Sequence, residues 1–593
     1  MAEALPERLR KNFLATHFFN PPRFMRLLEL VPSKYTDPDI LAGLAGFCSL
    51  RLGKGIVCGK DTPNFIANRI GVFSICNGVH HMAKMGLTVE EADAVSGPAT
   101  ARPNSALCRL LDLVGIDTMK LVAENSHRLL VDDEDREMFR LPGFVAAMVE
   151  KGLTGRKARQ GFYRRDTDGS SQSFDYASGS YRPTLQPKAA SVDAATRCPG
   201  PAEKLKAVMA GNDPVARFAW CNLRDTLLYT VKRIPEIADS IVDVDNAMKW
   251  GYNWSLGPFE MLDALGVQNF VRRVEAAGLA VPEALKKVDS FYRDTGTGPL
   301  AWNPAIGEFL EVPTKKGMID LRTLYRRGSV VEKNGDASIH DLADGVFCLE
   351  FHSKMNTIDM PTLEIVGKAI ARAEREGIGL VIGNHGRVFS AGANLAKFAT
   401  AIEAGRFDSL DEIIRVFQAN MMALKYASVP VVAAPFNLTL GGGCEVILHA
   451  DAVNAHAETT MGLVEIGVGL IPAGGGTKEM AVRAIELAAS YHTEVLPFLE
   501  KHFQNIVMAR VSSSADELFT MGLMRRGDSV TMDIDNLIAD AKRKVVALAG
   551  NYRPRQPLEK IAAPGRNIAA RLKGSLRTLM ADSPPTEYES AIA

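Results

Sequence analysis

Short unbroken apolar runs and helically spaced ones alternate at both ends of the chain. LLELVPS and KGIVCG read as strands, and DPDILAGLAGFCSLRLG between them has helical spacing behind an Asp cap. Residues 1–58 are therefore expected to be the end of an α/β unit. From Asp61 the pattern turns helical, with apolar positions recurring along FIANRIGVFSICNGVHHMAKMG. Strand-like runs return from about 329 as DGVFCLEFHS, GIGLVIGNHG and VPVVAAPFNL, interleaved with helical stretches such as TLEIVGKAIARAERE. That alternation predicts an α/β domain over 329–551. Residues 552–593 are polar, basic and Pro-punctuated and read as a helical tail.

The helical middle repeats itself. TVEEADAV carries Asp93, and Asp112 follows nineteen residues later in LLDLVGI. VDVDNAM carries Asp245, and Asp263 follows eighteen residues later in MLDALGV. Two related helical units are expected, at 59–163 and 213–325. Between them RRDTDGSSQSFDYASGSYRPTLQP is rich in Ser, Gly, Asp and Pro, so 164–212 reads as a linker.

The 593 residues are enough for about four domain-sized units. Sixty-nine Lys plus Arg balance 69 Asp plus Glu, which removes any electrostatic reason to expect a nucleic acid or a membrane surface as partner. Eight cysteines without a C-x-x-C pair argue against a disulfide framework or a zinc site, and no metal is expected. MAEALPERLRKNF lacks the apolar core of a secretory signal. The longest uncharged stretch, from Lys425 to Glu445, is broken by prolines and glycines and is no membrane span. A cytoplasmic location is expected.

Two glycine-rich turns carry the strongest candidate chemistry. FSAGANL (389–395) follows the strand-like GLVIG, and LGGGCEV (440–446) opens a helix directly after VPVVAAPFNL. Glycines let a ligand approach the backbone, and the first amides of a helix are unpaired donors. Brought together, the two turns would make an oxyanion hole. Glu445 sits in the first turn of that helix, and Glu465 follows twenty residues later among Leu463, Val464 and Ile466. Burial there would raise its pKa and suit it to proton transfer near neutrality.

These segments, with the second Glu in M-G-x-x-E, resemble the crotonase (enoyl-CoA hydratase) family over about 329–550. The resemblance implies that the amides of Ala391 and Gly442 polarise an acyl-CoA thioester carbonyl. It makes Glu445 and Glu465 the acid/base pair acting on water. Asn394, where the family often has Asp, and Ala473, where Gly is common, depart from the pattern.

HFFNP (17–21), with Glu29 twelve residues after His17, could place a base beside its orienting carboxylate. With KDTPNFIANRIG and the repeated helical units, it resembles the 3-hydroxyacyl-CoA dehydrogenase family across 13–325. The resemblance implies His17 as base, Glu29 as its orienting partner and Asn68 as a substrate-binding residue, with NAD as cofactor. Only sixteen residues precede His17. The NAD-binding part is therefore expected to be largely missing, a remnant over 1–58, and the dehydrogenase module inactive. The one G-x-G-x-x-A match downstream, at Gly296, Gly298 and Ala301, follows no buried strand and is rejected as a dinucleotide site.

The expected fold class is thus α/β plus all-α: a Rossmann-type remnant, two related helical dehydrogenase units and a crotonase-type domain. The order resembles a bacterial bifunctional β-oxidation protein. The leading expectation is hydration of 2-enoyl-CoA. The alternatives are a complete hydratase/dehydrogenase and a non-catalytic acyl-CoA-binding subunit. Acyl-CoA thioesters, further copies of the chain and a thiolase are the expected partners.

Overall fold

A computed structural model describes residues 1–296, 298–315, 317–558, 561, 565–579 and 586–592. The chain forms two compact units, Met1–Pro313 and Thr314–Ala593. Parts of the expected tail, 559–560, 562–564, 580–585 and 593, lie outside the described residues.

The first unit opens with a three-stranded sheet, β1 (Leu14–Phe18), β2 (Leu27–Pro32) and β3 (Gly55–Cys58). β1 runs antiparallel to β2, and β3 parallel to it. The crossover between β2 and β3 is the helix Pro38–Leu52, capped by Asp37 at its start and ended by Gly53 at a φ of 66°. Only glycine adopts that left-handed value without cost. On this helix Ile40, Phe47 and Leu50 are exposed. The helix Ala67–Met85 follows and is buried along most of its length. It packs against Pro214–Lys232, where Phe73 stacks on Tyr229 at 3.8 Å between ring centroids.

The internal repeat has a physical basis in two pairs of aspartates, of which Asp93, Asp112 and Asp245 are buried and Asp263 half-buried. Asp93 accepts hydrogen bonds from the Leu107 and Cys108 amides, at the start of the helix Cys108–Val114, and from the Tyr163 hydroxyl. Asp245 does the same with Phe259, Glu260 and Tyr292, at the start of Pro258–Leu265. Asp112 accepts from the Phe162 and Tyr163 amides, and Asp263 from those of Phe291 and Tyr292. In each copy one aspartate caps the next helix while the other holds the chain that follows.

Two expectations are corrected here. The 164–212 stretch is not a linker. Tyr163–Arg165, Ser171–Asp175 and Ser180–Pro183 form an antiparallel sheet, and the helices Ala190–Thr196 and Pro201–Met209 follow it. Its Ser, Gly and Asp residues are turn tips, such as Asp166 to Ser170 and Asp175 to Gly179. The second copy has the matching sheet Tyr292–Asp294, Pro299–Asn303 and Glu308–Glu311, and Gly296 sits on its first hairpin turn. The second copy also does not run to 325. Leu321 is buried in the core of the second unit, and Lys315 pairs with Asp533 and Asp535 there.

The second unit is built on a seven-stranded sheet. Its order is Val330–Lys333, Ala337–Asp341, Val346–Phe351, Gly379–Ile382, Val431–Ala433, Ala452–His456 and Ser529–Thr531. The first three strands are antiparallel and the rest parallel. Gly379–Ile382 and Val431–Ala433 are buried at every residue, which is why they read as unbroken apolar runs rather than alternating ones. The expected strand VPVVAAPFNL resolves into two, Val431–Ala433 in the main sheet and Leu438–Leu440 paired with Thr460–Gly462. Beyond Leu440 the chain turns at Gly441, with a φ of 52°, into the fully buried helix Gly442–His449.

Removing a carboxyl group that serves one buried and two half-buried donors leaves all three without that partner. Asp245→Ala should lower the unfolding free energy of the first unit by at least about 2 kcal/mol, read by urea titration. A loss below about 0.5 kcal/mol would show that the clamp does not stabilise the repeat.

Candidate functional site

The two glycine-rich turns of the second unit meet. Leu440 donates its amide to Ser390 O at 3.0 Å, and Ser390 bridges to Thr439. A Cβ at Gly392 would lie 2.8 Å from Leu440 O and 3.1 Å from Gly442 N. No side chain fits there, and Gly392 also has a φ of 88°.

Ala391, Ala393, Gly442, Glu445 and Glu465 line one cavity of about 310 Å3. Its remaining wall is largely apolar, with Phe398, Ile413, Ile414, Phe417 and Val468. The Ala391 amide, expected to polarise the thioester, is already engaged, donating to Met355 O at 3.1 Å. The Ala393 amide, two residues on, is 3.6 Å from where a Gly442 Cβ would be. It is therefore the better placed partner for the Gly442 amide, which opens the helix Gly442–His449. The sequence pattern marks the turn but not which of its amides is free. Asn394 caps the next helix and donates to Asp359, and Ala473 lines the cavity.

Glu445 and Glu465 are held differently. Glu445 is 2% exposed, and its Oε1 accepts from the Gly476 amide at 2.8 Å. Burial, with the charge of Glu465 adding to it, pushes its carboxyl up to about 8. Glu465 opens the 3-10 turn Glu465–Val468, and neither of its carboxyl oxygens has a hydrogen-bond partner. Burial pushes it up to about 7. Both acids thus border the same cavity, poised to exchange protons near neutrality. Beneath them His449 donates from Nδ1 to Glu445 O at 2.7 Å, and Lys425 and Glu479 form a buried ion pair at 2.6 Å.

In the first unit His17 and Glu29 lie opposite each other on β1 and β2. His17 Nδ1 is 2.5 Å from Glu29 Oε2. Glu29 is fully buried, and its Oε1 accepts from the Ile66 and Ala67 amides at 3.0 and 2.9 Å, where the helix Ala67–Met85 begins. With Nδ1 donating to a carboxylate, the lone pair of the neutral ring is on Nε2. Asn68 is on the same first turn, and its Oδ1 accepts from the Tyr252 hydroxyl at 3.0 Å. That leaves the Asn68 Nδ2 as the donor. Tyr252 was not foreseen, because it comes from the second helical copy, 184 residues away in sequence.

A probable 3-hydroxyacyl-CoA dehydrogenase of Bacillus subtilis is 41% identical over 97% of this chain and 73% of its own length. The chain belongs to the 3-hydroxyacyl-CoA dehydrogenase family. A putative fatty acid oxidation complex trifunctional enzyme of Rickettsia prowazekii is 28% identical over 96% of the chain and 74% of its own length. An enoyl-CoA hydratase structure from Bacillus anthracis is 22% identical, covering 36% of this chain and 77% of its own, with a TM-score of 0.30. Family models place the dehydrogenase NAD binding domain at 1–62, the dehydrogenase C-terminal domain at 65–165 and enoyl-CoA hydratase/isomerase at 342–493. This dehydrogenase family member therefore carries a fused hydratase/isomerase domain, with the expected fold class of α/β plus all-α.

The expectation of a largely missing NAD-binding part is corrected by the match over residues 1–62. The segment β1 to β3, which carries His17 and Glu29, belongs to the same domain. Asp133, Glu134 and Asp135 form a carboxylate group of metal-ligand spacing, but Arg69, Arg233 and Lys232 pair with them. All eight cysteines are free thiols. Among the described residues no helix is long and apolar enough to cross a membrane.

Glu29→Ala would strip two buried amides of their acceptor. It should cost about 1–3 kcal/mol of stability, measured by thermal unfolding, whereas His17→Ala should cost far less. Equal losses for the two would mean that Glu29 serves His17 alone.

Proposed function

We propose that the second unit hydrates 2-enoyl-CoA to 3-hydroxyacyl-CoA. The observation that carries this reading is the pair of buried, proton-poised acids, Glu445 and Glu465, in one cavity with two backbone turns. The Ala393 and Gly442 amides donate to the thioester oxygen. As water adds to C3, charge moves onto that oxygen and the two amides stabilise it. One carboxylate takes the proton of the attacking water while the other, protonated, delivers its proton to C2. The pair ends with the same single proton it began with. Acyl-CoA thioesters are the substrate class. Assembly with further copies of the chain or with a thiolase, and a cytoplasmic setting, complete the proposal.

For the first unit we propose that His17 Nε2 accepts the hydrogen bond of the 3-hydroxyl of 3-hydroxyacyl-CoA while Glu29 holds the ring through Nδ1. Asn68 would donate its amide to the thioester. NAD supplies the hydride acceptor in this family. The N-terminus of Pro38–Leu52, the helix of the β2–β3 crossover, does not fit its pyrophosphate. Asp37 caps that end and Asp39 adds a second acid to its first turn.

Glu445→Gln and Glu465→Gln should each lower kcat for crotonyl-CoA by at least about a hundredfold with the fold intact. A folded Glu465→Gln enzyme with near-normal hydration would rule the mechanism out. The singly protonated pair predominates between about 7 and about 8. Below that window no carboxylate is free to act as base, and above it no proton remains for C2. kcat/KM against pH should be bell-shaped with limbs there, and either Gln variant should lose the bell.

A further inference from the structure

The glycine triplet Gly474–Gly476, in the segment PAGGG, lies against two side chains of the helix Gly442–His449. A Cβ at Gly474 would be 2.5 Å from Glu445 Oε2, and one at Gly476 would be 3.0 Å from Glu445 Oε1. A Cβ at Gly475 would instead be 2.9 Å from His449 Cε1 and 3.0 Å from its Nε2. The turn thus touches the acid at its two ends and the imidazole at its middle. His449 is fully buried and lies outside the lining of the catalytic cavity. Both of its ring nitrogens are engaged. Nδ1 donates to Glu445 O at 2.7 Å, and Nε2 accepts from Lys478 Nζ at 3.2 Å. Lys478 belongs to the helix Gly476–Ser490, which begins where the glycine turn ends. The ring therefore ties the helix that carries Glu445 to the helix whose Gly476 amide holds the Glu445 carboxyl at 2.8 Å. Lys425, Lys478 and Glu479 are the charged groups around the ring, with Glu479 Oε1 at 3.5 Å from Nε2. Arg483 and Arg525 donate to the adjoining Leu448 O. Burial pushes the imidazole down to about 4, so it carries no charge between about 7 and about 8, where the two acids titrate.

We propose that His449 is a positioning residue of the hydratase site: its ring is the floor on which the glycine turn rests, and through that turn it fixes the Glu445 carboxyl. The inference rests on the hydratase reading of the cavity and adds a residue to it. An amide donating to a carboxylate favours the charged form, and it also selects one orientation of the group. The Gly476 amide does so only while the turn is pressed against Glu445. With no ring beneath Gly475, the turn can settle into the space left behind and draw the amide away. Glu445 would then resemble Glu465, buried with no fixed donor, and the pair would lose the asymmetry that orients one acid toward the reacting water. The imidazole touches neither substrate nor water in this role. It acts through the turn alone.

The test uses His449→Ala and, separately, His449→Asn in the full chain. The Asn side chain can still donate to Glu445 O but leaves the space beneath Gly475 open, so it decides the matter where the Ala variant does not fold. Hydration of crotonyl-CoA is measured against pH. Titration of the Glu445 carboxyl is followed by infrared spectroscopy of protein carrying 13C-carboxyl glutamate, with the band assigned by difference from Glu445→Gln. The expected result is a kcat lowered about tenfold or more, with KM within about twofold of the unaltered chain. The Glu445 titration and the alkaline limb of the rate profile should both rise by about half a pH unit or more. A folded variant with kcat and the Glu445 titration both unchanged would overturn the proposal. So would a lowered kcat with an unmoved titration, because that is what a side chain needed only for packing would give. An unaltered chain that binds crotonyl-CoA without hydrating it would overturn the hydratase reading instead, while the infrared titration still decides whether His449 sets Glu445.

Discussion

Buried carboxylates that accept main-chain amides organise this protein. Glu29 holds the start of Ala67–Met85, Asp93 and Asp245 hold the starts of matching helices, and Asp112 and Asp263 hold the strands that follow. A helix N-terminus presents unpaired donors and positive partial charge, which offset part of the cost of burying an acid there, although burial still pushes Asp112 up to about 6 and Asp245 up to about 8. In the first unit this arrangement joins segments far apart in sequence, and in Glu29 it also fixes a candidate catalytic histidine. Structure and chemistry share one carboxylate: Oε1 serves the helix and Oε2 serves His17.

In the second unit's cavity one acid uses the same device and the other departs from it. Glu445 takes the Gly476 amide, which anchors it beside the helix Gly476–Ser490. Glu465 has no such partner. A buried acid with no donor is costly unless it holds its proton. The contrast between them lets one carboxyl be fixed in place while the other is free to turn toward substrate or water.

Much of this was legible in the sequence wherever a residue type is tied to a local geometry. The repeat showed itself through Asp93 and Asp112 against Asp245 and Asp263, because the clamp demands acids at nearly the same spacing. Gly392 marks its turn because a side chain there would meet Leu440 O, and Gly441 marks the other through its positive φ. What could not be read depends on partners distant in sequence. Whether Ala391 or Ala393 presents a free amide is decided by Met355 O, and the orientation of Asn68 by Tyr252. The Ser- and Gly-rich stretch after Tyr163 was misread because turn tips of short hairpins have the composition of a linker. Residues 1–58 were assigned to the NAD-binding domain only as a remnant, since strands and a crossover helix carry no signature as sharp as a glycine fingerprint, whereas the family match spans 1–62.

The arrangement at Glu465 has a thermodynamic consequence for the fold. Its folded pKa, about 7, stands above the ordinary carboxyl value of 4.5. Below the ordinary value both folded and unfolded chains hold the proton, and the acid contributes no charge to bury. As pH rises from there, the unfolded chain ionises first while the folded chain keeps its proton, so stability falls. Above about 7 the folded chain ionises as well, and the full cost of an unpartnered charge is in place. Glu445, at about 8, extends the same slope upward. By the window in which the pair shares one proton, the second unit has therefore already given up most of that stability. An apolar residue at either position would relieve that cost and remove the chemistry. Two unneutralised acids in an apolar cavity make physical sense as part of a proton-transfer site, whereas packing alone would favour replacing them.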